Sequence, residues 1–237
     1  TLNVEGGTNN ALVFPYDAFQ TGEAGVGNMT DLVIDDTHAN EEDGYIINKH
    51  HNTVFANTTE TFGDSVFTVT YKNSQATKNN RWGIEYIVDV NGAEYGLRAT
   101  MKVGTDAGFE DKLVFQWYGE GNPQWGWGVN NMGNSWQNII VETAAYNNDA
   151  YKEAFLNGDG LDFTAVRSGN EVYYFISIHG KADSVFFCDS FTLTGDYTQA
   201  GYWTIAIADA KQDEEIHFDL SDNAEDVAAW VEKVPVA

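Results

Sequence analysis

Apolar and polar residues alternate in short runs along most of this chain, and Arg81 to Val103 is the clearest case. Asn91-Gly92 divides that run. The dipeptide favours a two-residue type I′ turn, because both of its positions tolerate positive φ. A hairpin closed there pairs Val90 with Ala93, Val88 with Tyr95, Tyr86 with Leu97, Ile84 with Ala99 and Trp82 with Met101. That face is apolar throughout and is assigned to the core. The other face pairs Asp89 with Glu94, Glu85 with Arg98 and Arg81 with Lys102, and is largely polar. The register set by the turn agrees with the register set by burial; a slip of one residue would invert both faces.

A second hairpin is predicted over Leu161 to Ile178 around Gly169-Asn170. Leu161, Phe163 and Ala165 then oppose Ile178, Ile176 and Tyr174. The opposite face carries Val166, Tyr173 and Phe175, so these strands are apolar on both sides. Such strands lie inside a sandwich or line an aromatic groove. Further strands are predicted at Ala11 to Phe19, Leu32 to Ile34, Tyr45 to Asn48, Ser65 to Tyr71, Lys112 to Tyr118, Trp136 to Glu142, Ser184 to Cys188, Tyr202 to Ala208 and Glu215 to Leu220. Clusters of Gly, Asn and Asp separate them. Two short helices are expected, Asp149 to Leu156 capped by Asn148 and stopped by Gly158, and Asp226 to Lys233 capped by Asn223. About a dozen strands with no linker and no fixed repeat predict an all-β fold, a jelly-roll β-sandwich forming one domain over residues 1–237.

Charge narrows the partners. Twelve Lys and Arg stand against 36 Asp and Glu, a formal charge of −24. Phosphate binding needs clustered cations, so nucleic acid is excluded as a partner, and anionic membranes and anionic polysaccharides are disfavoured. No run approaches the roughly 18 apolar residues of a membrane helix, so no membrane insertion is expected. No signal-peptide pattern opens the sequence at Thr1, so a secreted protein would be in its mature or excised form. A single cysteine, Cys188, rules out an intrachain disulfide. It lies in a strand-like run and reads as a buried structural thiol. With 33 aromatic residues and 22 Asn but few cations, the composition suits a neutral, hydroxyl-rich partner.

The stretch Leu161-Asp162-Phe163-Thr164-Ala165-Val166-Arg167-Ser168-Gly169-Asn170-Glu171-Val172-Tyr173-Tyr174-Phe175 resembles the hairpin of concanavalin-like and laminin-G-like jelly rolls, in which an arginine precedes the turn between two apolar strands. Gly201 to Ile207, followed by Ile216-His217-Phe218-Asp219, resembles their closing strands. The resemblance covers the C-terminal two thirds of the chain in pattern. It extends to starch-adherence and other carbohydrate-binding modules of gut bacterial surfaces. It implies an extracellular or cell-surface protein, bacterial in origin, that is part of a longer multidomain chain and binds sugar, with an α-glucan such as starch as first candidate.

Gln116 to Trp136 holds four of the seven tryptophans. Glycines flank Trp125 and Trp127, and Pro123 precedes them, which predicts a loop or broken strand edge. Flat rings stack on the apolar faces of pyranoses, while Asn and Gln bond hydroxyls. Trp125, Trp127 and Trp136 are therefore the candidate platform, with Tyr118, Gln124, Asn130, Asn131 and Asn134 orienting the sugar. The competing reading has Trp125 and Trp127 plugging one end of the sandwich. Trp82 and Trp117 are assigned to the core. Trp230 is assigned to packing the terminal helix down. Shallow stacking sites give affinities of roughly micromolar to millimolar, about −8 to −4 kcal/mol.

Two other functions compete with binding. A glycoside hydrolase needs two carboxyls about 5–5.5 Å apart to retain configuration, or about 6.5–9.5 Å to invert it. Concanavalin-like hydrolases carry Glu, Asp and Glu along one strand. Here Glu215-Ile216-His217-Phe218-Asp219 has His217 at the middle position, and its outer carboxyls lie about 13 Å apart on a strand. Glu85 and Asp89 have the same spacing. No catalytic residue is therefore assigned and no cofactor is required. An adhesive or scaffolding domain would instead show a broad flat aromatic patch. The acidic stretch Asp35 to Gly44 offers oxygen ligands suited to structural Ca2+ but lacks EF-hand spacing, and a solvated loop is the simpler reading. The histidines show no zinc spacing. Two sequons, Asn28-Met29-Thr30 and Asn57-Thr58-Thr59, matter only in a eukaryotic secretory host.

Overall fold

The computed structural model describes residues 11–13, 31–34, 39–42, 45–48, 53–72, 81–117, 130–132, 138–157, 160–208 and 215–236. Sixteen strands occur among them. In order these are β1 (Ala11–Val13), β2 (Asp31–Ile34), β3 (Ala39–Glu42), β4 (Tyr45–Asn48), β5 (Thr53–Thr58), β6 (Ser65–Lys72), β7 (Arg81–Val90) and β8 (Ala93–Val103). They continue as β9 (Leu113–Trp117), β10 (Asn130–Asn131), β11 (Asn138–Ile140), β12 (Leu161–Ser168), β13 (Glu171–Ile178), β14 (Phe186–Thr192), β15 (Tyr202–Ala208) and β16 (Glu215–Ser221). Helix α1 spans Asn148–Leu156 and α2 spans Ala224–Val231.

The strands form two sheets. The larger has the order β1-β2-β5-β15-β7-β8-β9-β11, with β10 alongside β8; the smaller has the order β14-β13-β12-β6-β16-β4-β3. Every pairing is antiparallel except the short β10–β8 contact. The architecture is the jelly-roll β-sandwich that the alternation predicts, with two short helices.

Both hairpins form in the predicted register. Arg81 opposes Lys102 and every pair through Val90–Ala93 follows. Asn91 and Gly92 sit at φ +56° and +83°, as a type I′ turn requires. Leu161 opposes Ile178, Phe163 opposes Ile176 and Ala165 opposes Tyr174. Gly169 carries φ +59° at the first turn position of that hairpin.

Between the sheets lies one continuous core. Trp82, Ile84, Tyr86, Leu97, Met101, Phe115, Trp203 and Ile205 face Phe67, Val69, Phe163, Tyr174, Ile176, Ile216, Phe218 and Leu220, all of them buried. Rings meet across the gap, Phe67 with Trp203 at 5.9 Å and Phe115 with Phe163 at 6.1 Å between centroids. Each fully buried large side chain contributes roughly 1.5–3 kcal/mol against exposure. Trp82 is core, as assigned. Trp203 is core too, and its indole N–H donates to Ser65 Oγ at 3.0 Å. Helix α1 closes one end, where Phe155 packs edge-on against Trp82 at 4.8 Å.

Two expectations change. The cap of α1 is Asn147, whose side chain accepts from Ala150 N; Asn148 is the first helical residue. Gly158 lies outside the described residues. Within the acidic stretch, Ala39–Glu42 is the edge strand β3 paired with β4, because backbone pairing to Tyr45–Asn48 outweighs poor strand propensity there. Asn57 of the second sequon is in β5. The doubly apolar second hairpin owes its outer face to α2: Val66, Val166 and Phe175 form a second cluster with Val227, flanked by Trp230. Asn223 caps α2 as predicted, its Oδ1 accepting from Glu225 N at 2.8 Å. Trp230 packs the helix down onto Phe175 at 5.1 Å.

Candidate functional site

Strand alternation turns one set of side chains on β7, β8, β9 and β15 into the core and the other set outward. On the larger sheet the outward set is Arg81, Glu85, Arg98, Thr100, Lys102, Gln116 and Thr204, and all seven are buried. A polar face of this kind normally sits in water; buried, each group must find a partner. Arg81, Gln116 and Lys102 do so through a connected network. Arg81 Nε donates to Gln116 Oε1 at 3.3 Å. Gln116 Nε2 donates to Asn138 Oδ1 at 3.0 Å, and Asn138 Nδ2 to Asp106 Oδ2 at 3.1 Å. Lys102 Nζ reaches the same Asp106 oxygen at 3.2 Å. Lys102 opposes Arg81 across the β7–β8 ladder, so both ends of the network rest on one cross-strand pair.

Beside it, Arg98 Nη2 donates to both Glu85 oxygens at 3.0 Å. Burial pushes the Glu85 carboxyl above its ordinary range, and Arg98 pulls it back. Burial likewise holds the Lys102 ammonium below its ordinary range, against the bond from Asp106. Asp106 is held low by its bonds from Lys102 and Asn138. Glu85 lies over a glycine: a Cβ at Gly96 would fall 1.9 Å from its Oε1. The bare backbone of Gly96 is what lets the carboxylate reach Arg98.

At the other end of the strands the face becomes accessible. Glu94 and Asn130 are exposed, and Asn130 Nδ2 donates to Glu94 O at 3.1 Å. The Tyr202 hydroxyl donates to the Glu94 carboxylate. Burial first, and then that carboxylate, raise the Tyr202 phenol well above its ordinary range.

The predicted site residues divide accordingly. Asn130 and Asn131 form β10, hydrogen-bonded alongside Tyr95 and Gly96 of β8. Tyr118, Gln124, Trp125, Trp127, Asn134 and Trp136, with the side chains of Trp117 and Asn131, lie outside the described residues. The described strands nonetheless bracket them: β9 precedes, β10 interrupts and β11 follows, all three in the larger sheet. Gln116 is buried on the outward face of β9. Sequence reasoning missed the buried network of Arg81, Gln116, Asn138, Asp106 and Lys102 and the Glu85–Arg98 pair beside it, because a buried polar face and a solvated one share the same alternation.

The remaining candidates fall elsewhere. On β16, Ile216, Phe218 and Leu220 face the core, and His217 and Asp219 occupy the outer face of the smaller sheet, remote from the network. Cys188 is buried, and burial, then Asp189, raises its thiol well above the ordinary range, as a structural thiol requires. Among the described residues no cluster of three His, Cys, Asp or Glu is arranged to hold a metal ion.

No known protein family matches the chain, and no curated protein matches it. Solved structures do match in fold. A functionally unknown protein from Saccharomyces cerevisiae aligns at 10% identity over 81% of this chain and 93% of its own, with a TM-score of 0.47. The Bacillus licheniformis β-glucanase aligns at 12% identity over 90% and 97%, with a TM-score of 0.46. The metal-free exoplasmic/lumenal domain of VIP36 aligns at 12% identity over 94% of both chains, with a TM-score of 0.47. The likeness is one of fold.

Proposed function

We propose that this chain is a carbohydrate-binding domain that holds a neutral polysaccharide on the larger sheet without cleaving it. One observation carries the reading. The segment with the stacking tryptophans begins where Gln116 ends the amide-lined network on β9, and it returns to the same sheet at Asn130. Amides that both donate and accept, next to a Trp-rich segment, suit hydroxyls and pyranose faces. The non-catalytic half rests on Glu85. Among the described residues it is the acidic side chain sunk into this face, and a guanidinium grips both of its oxygens, which suits it to positioning Arg98 rather than to proton transfer. An α-glucan such as starch is the first ligand to test, from the resemblance in the Leu161 to Phe175 hairpin and the closing strands.

The experiment is affinity electrophoresis through gels containing starch, β-glucan, mannan or xylan, with chain length of the glycan measured after long incubation. Retardation by one glycan, abolished in Trp125→Ala and Trp127→Ala, with the glycan intact, is the expected result. No retardation by any of them sinks the sugar-binding reading. Shortening of the retarding glycan overturns the non-catalytic half.

A further inference from the structure

We infer that the outer face of the smaller sheet carries a second binding site, a cleft for a small neutral polyhydroxylated ligand of the size of one or two sugar rings. Helix α2 covers only the apolar half of that face, over Val66, Val166 and Phe175. The polar half is left as the floor of a cleft of about 370 Å³, with Trp230 and Asp226 of α2 on one wall and the turn after β13 on the other. That volume falls in the range of small-ligand pockets, roughly 300–1,000 Å³.

The floor is built in two cross-strand rows. Asp219, Thr68 and Thr164 form one, and Thr70, Asp162 and Ser177 form the other. Thr70, Thr164 and Ser177 are buried at its base. Thr68 and Thr164 share a hydrogen bond at 2.9 Å, so one hydroxyl hydrogen of the pair remains to donate. Asp162 accepts from Thr70 and meets His179 Nδ1 at 2.9 Å, both through Oδ1; its Oδ2 takes part in neither contact. Ser177 spends its hydroxyl on none of these bonds, although its neighbours are bonded to each other. A sheet face that served only to seat a helix would carry apolar side chains here, as it does one row away.

Chemistry selects the ligand. A carboxylate oxygen beside serine and threonine hydroxyls accepts and donates to adjacent ligand hydroxyls. Asp162 and Asp219 on the floor and Asp226 on the wall outnumber the two lysines of the lining, Lys181 and Lys233, so the cleft does not favour an anion. The partly buried Trp230 ring gives the wall an apolar surface, and Lys233 lies over it at 5.4 Å. The site lies on the sheet opposite the polysaccharide face and stands independently of it.

The test is a 1H–15N titration of the labelled full chain with D-glucose, D-galactose, D-mannose and D-glucuronate in turn. Saturable shifts are expected for at least one neutral sugar at the Ser177 and His179 amides and the Trp230 indole N–H, at about millimolar affinity. Ser177→Val keeps the strand, because among the described residues no hydrogen bond passes through that hydroxyl, and should weaken binding about tenfold or more, a loss of roughly 1.4 kcal/mol. Asp162→Asn should weaken it too. Absence of saturable shifts at these groups, or shifts that Ser177→Val leaves unchanged, overturns the site. Tighter binding of glucuronate overturns the neutral ligand class. Gel retardation by polysaccharide should persist in Ser177→Val, so failure of this site and failure of the larger-sheet site are read separately.

Discussion

The guanidinium of Arg167, on the smaller sheet, donates to the hydroxyl of Tyr86, on the larger one. Arg167 points into the sandwich rather than away from it, and it is buried. Its other donors reach Gln199 O at 2.6 Å and Thr198 O at 2.5 Å. The Tyr86 hydroxyl passes the connection on, donating to Phe62 O and accepting from Gly201 N, each at 2.6 Å. A single cation thus ties two sheets and two loops together at one end of the core. This gives a physical reason for the arginine that precedes the turn in the Leu161 to Phe175 hairpin.

Arg167→Met should destabilise the fold by about 2–4 kcal/mol, since it removes the guanidinium from the Thr198 and Gln199 carbonyls and one donor from the buried Tyr86 phenol. Arg167→Lys should recover only part of that, because an ammonium cannot match the planar fork. Denaturant unfolding of Arg167→Met, Tyr86→Phe and the double variant should give a coupling of about 1 kcal/mol or more. Additive losses would show that the two residues act separately.

The hairpins were legible because two-residue turns set register locally, and Val88 or Tyr86 can satisfy only one face. The outer network was not. Arg81, Glu85, Arg98 and Lys102 alternate as a solvated face would, and their burial depends on contacts remote in sequence. The outer apolar residues Val166 and Phe175 were visible, but their cover is Val227 and Trp230, more than 50 residues onward. Strand β3 was hidden in an acidic run because its order comes from β4. The α1 cap was misplaced by one position because Asn147 and Asn148 are equivalent in local sequence; only the structure shows that the second is taken by another task.

That task is measurable. Asn148 acts as a substitute strand partner: Leu113 N donates to its Oδ1 at 3.0 Å, while its Nδ2 donates to Leu113 O at 2.7 Å and Val141 O at 2.9 Å. Asn148→Ala takes the side-chain partner from buried Leu113 N and Val141 O, while Leu113 O keeps its bond from Val141 N, and should cost about 2–4 kcal/mol. Asn147→Ala removes a helix cap and should cost about 1 kcal/mol. Thermal unfolding of the two variants should therefore rank them clearly, and equal losses would contradict the bridging role.

Alkali should act through the tyrosines. Burial raises the phenols of Tyr86, Tyr151 and Tyr174, most of all Tyr174. Above about pH 10 the unfolded chain releases these protons while the folded chain keeps them. The folded state then binds more protons, so stability is full below that pH and falls as pH rises toward the folded values. Ultraviolet titration should show these three phenols ionising only with unfolding. A smooth titration of all twelve tyrosines near pH 10 in folded protein would refute it.

Gly96 tests the buried ion pair without touching either charge. A Cβ at that position would stand 1.9 Å from Glu85 Oε1 and 2.6 Å from its Cδ, so the carboxylate must move. Arg98 cannot follow freely, being buried beside it. Gly96→Ala should therefore destabilise by about 1–3 kcal/mol, the range for overpacking, although alanine ordinarily suits a strand better than glycine. Glu85→Gln probes the same geometry by charge: it leaves the Arg98 cation buried without its counter-ion and should cost about 3–5 kcal/mol. If the pair only positions the sheet surface, both variants that remain folded should lose glycan retardation in proportion to lost stability and neither should alter glycan chain length. A gain of hydrolysis in wild type over Glu85→Gln would assign that carboxylate a chemical step instead.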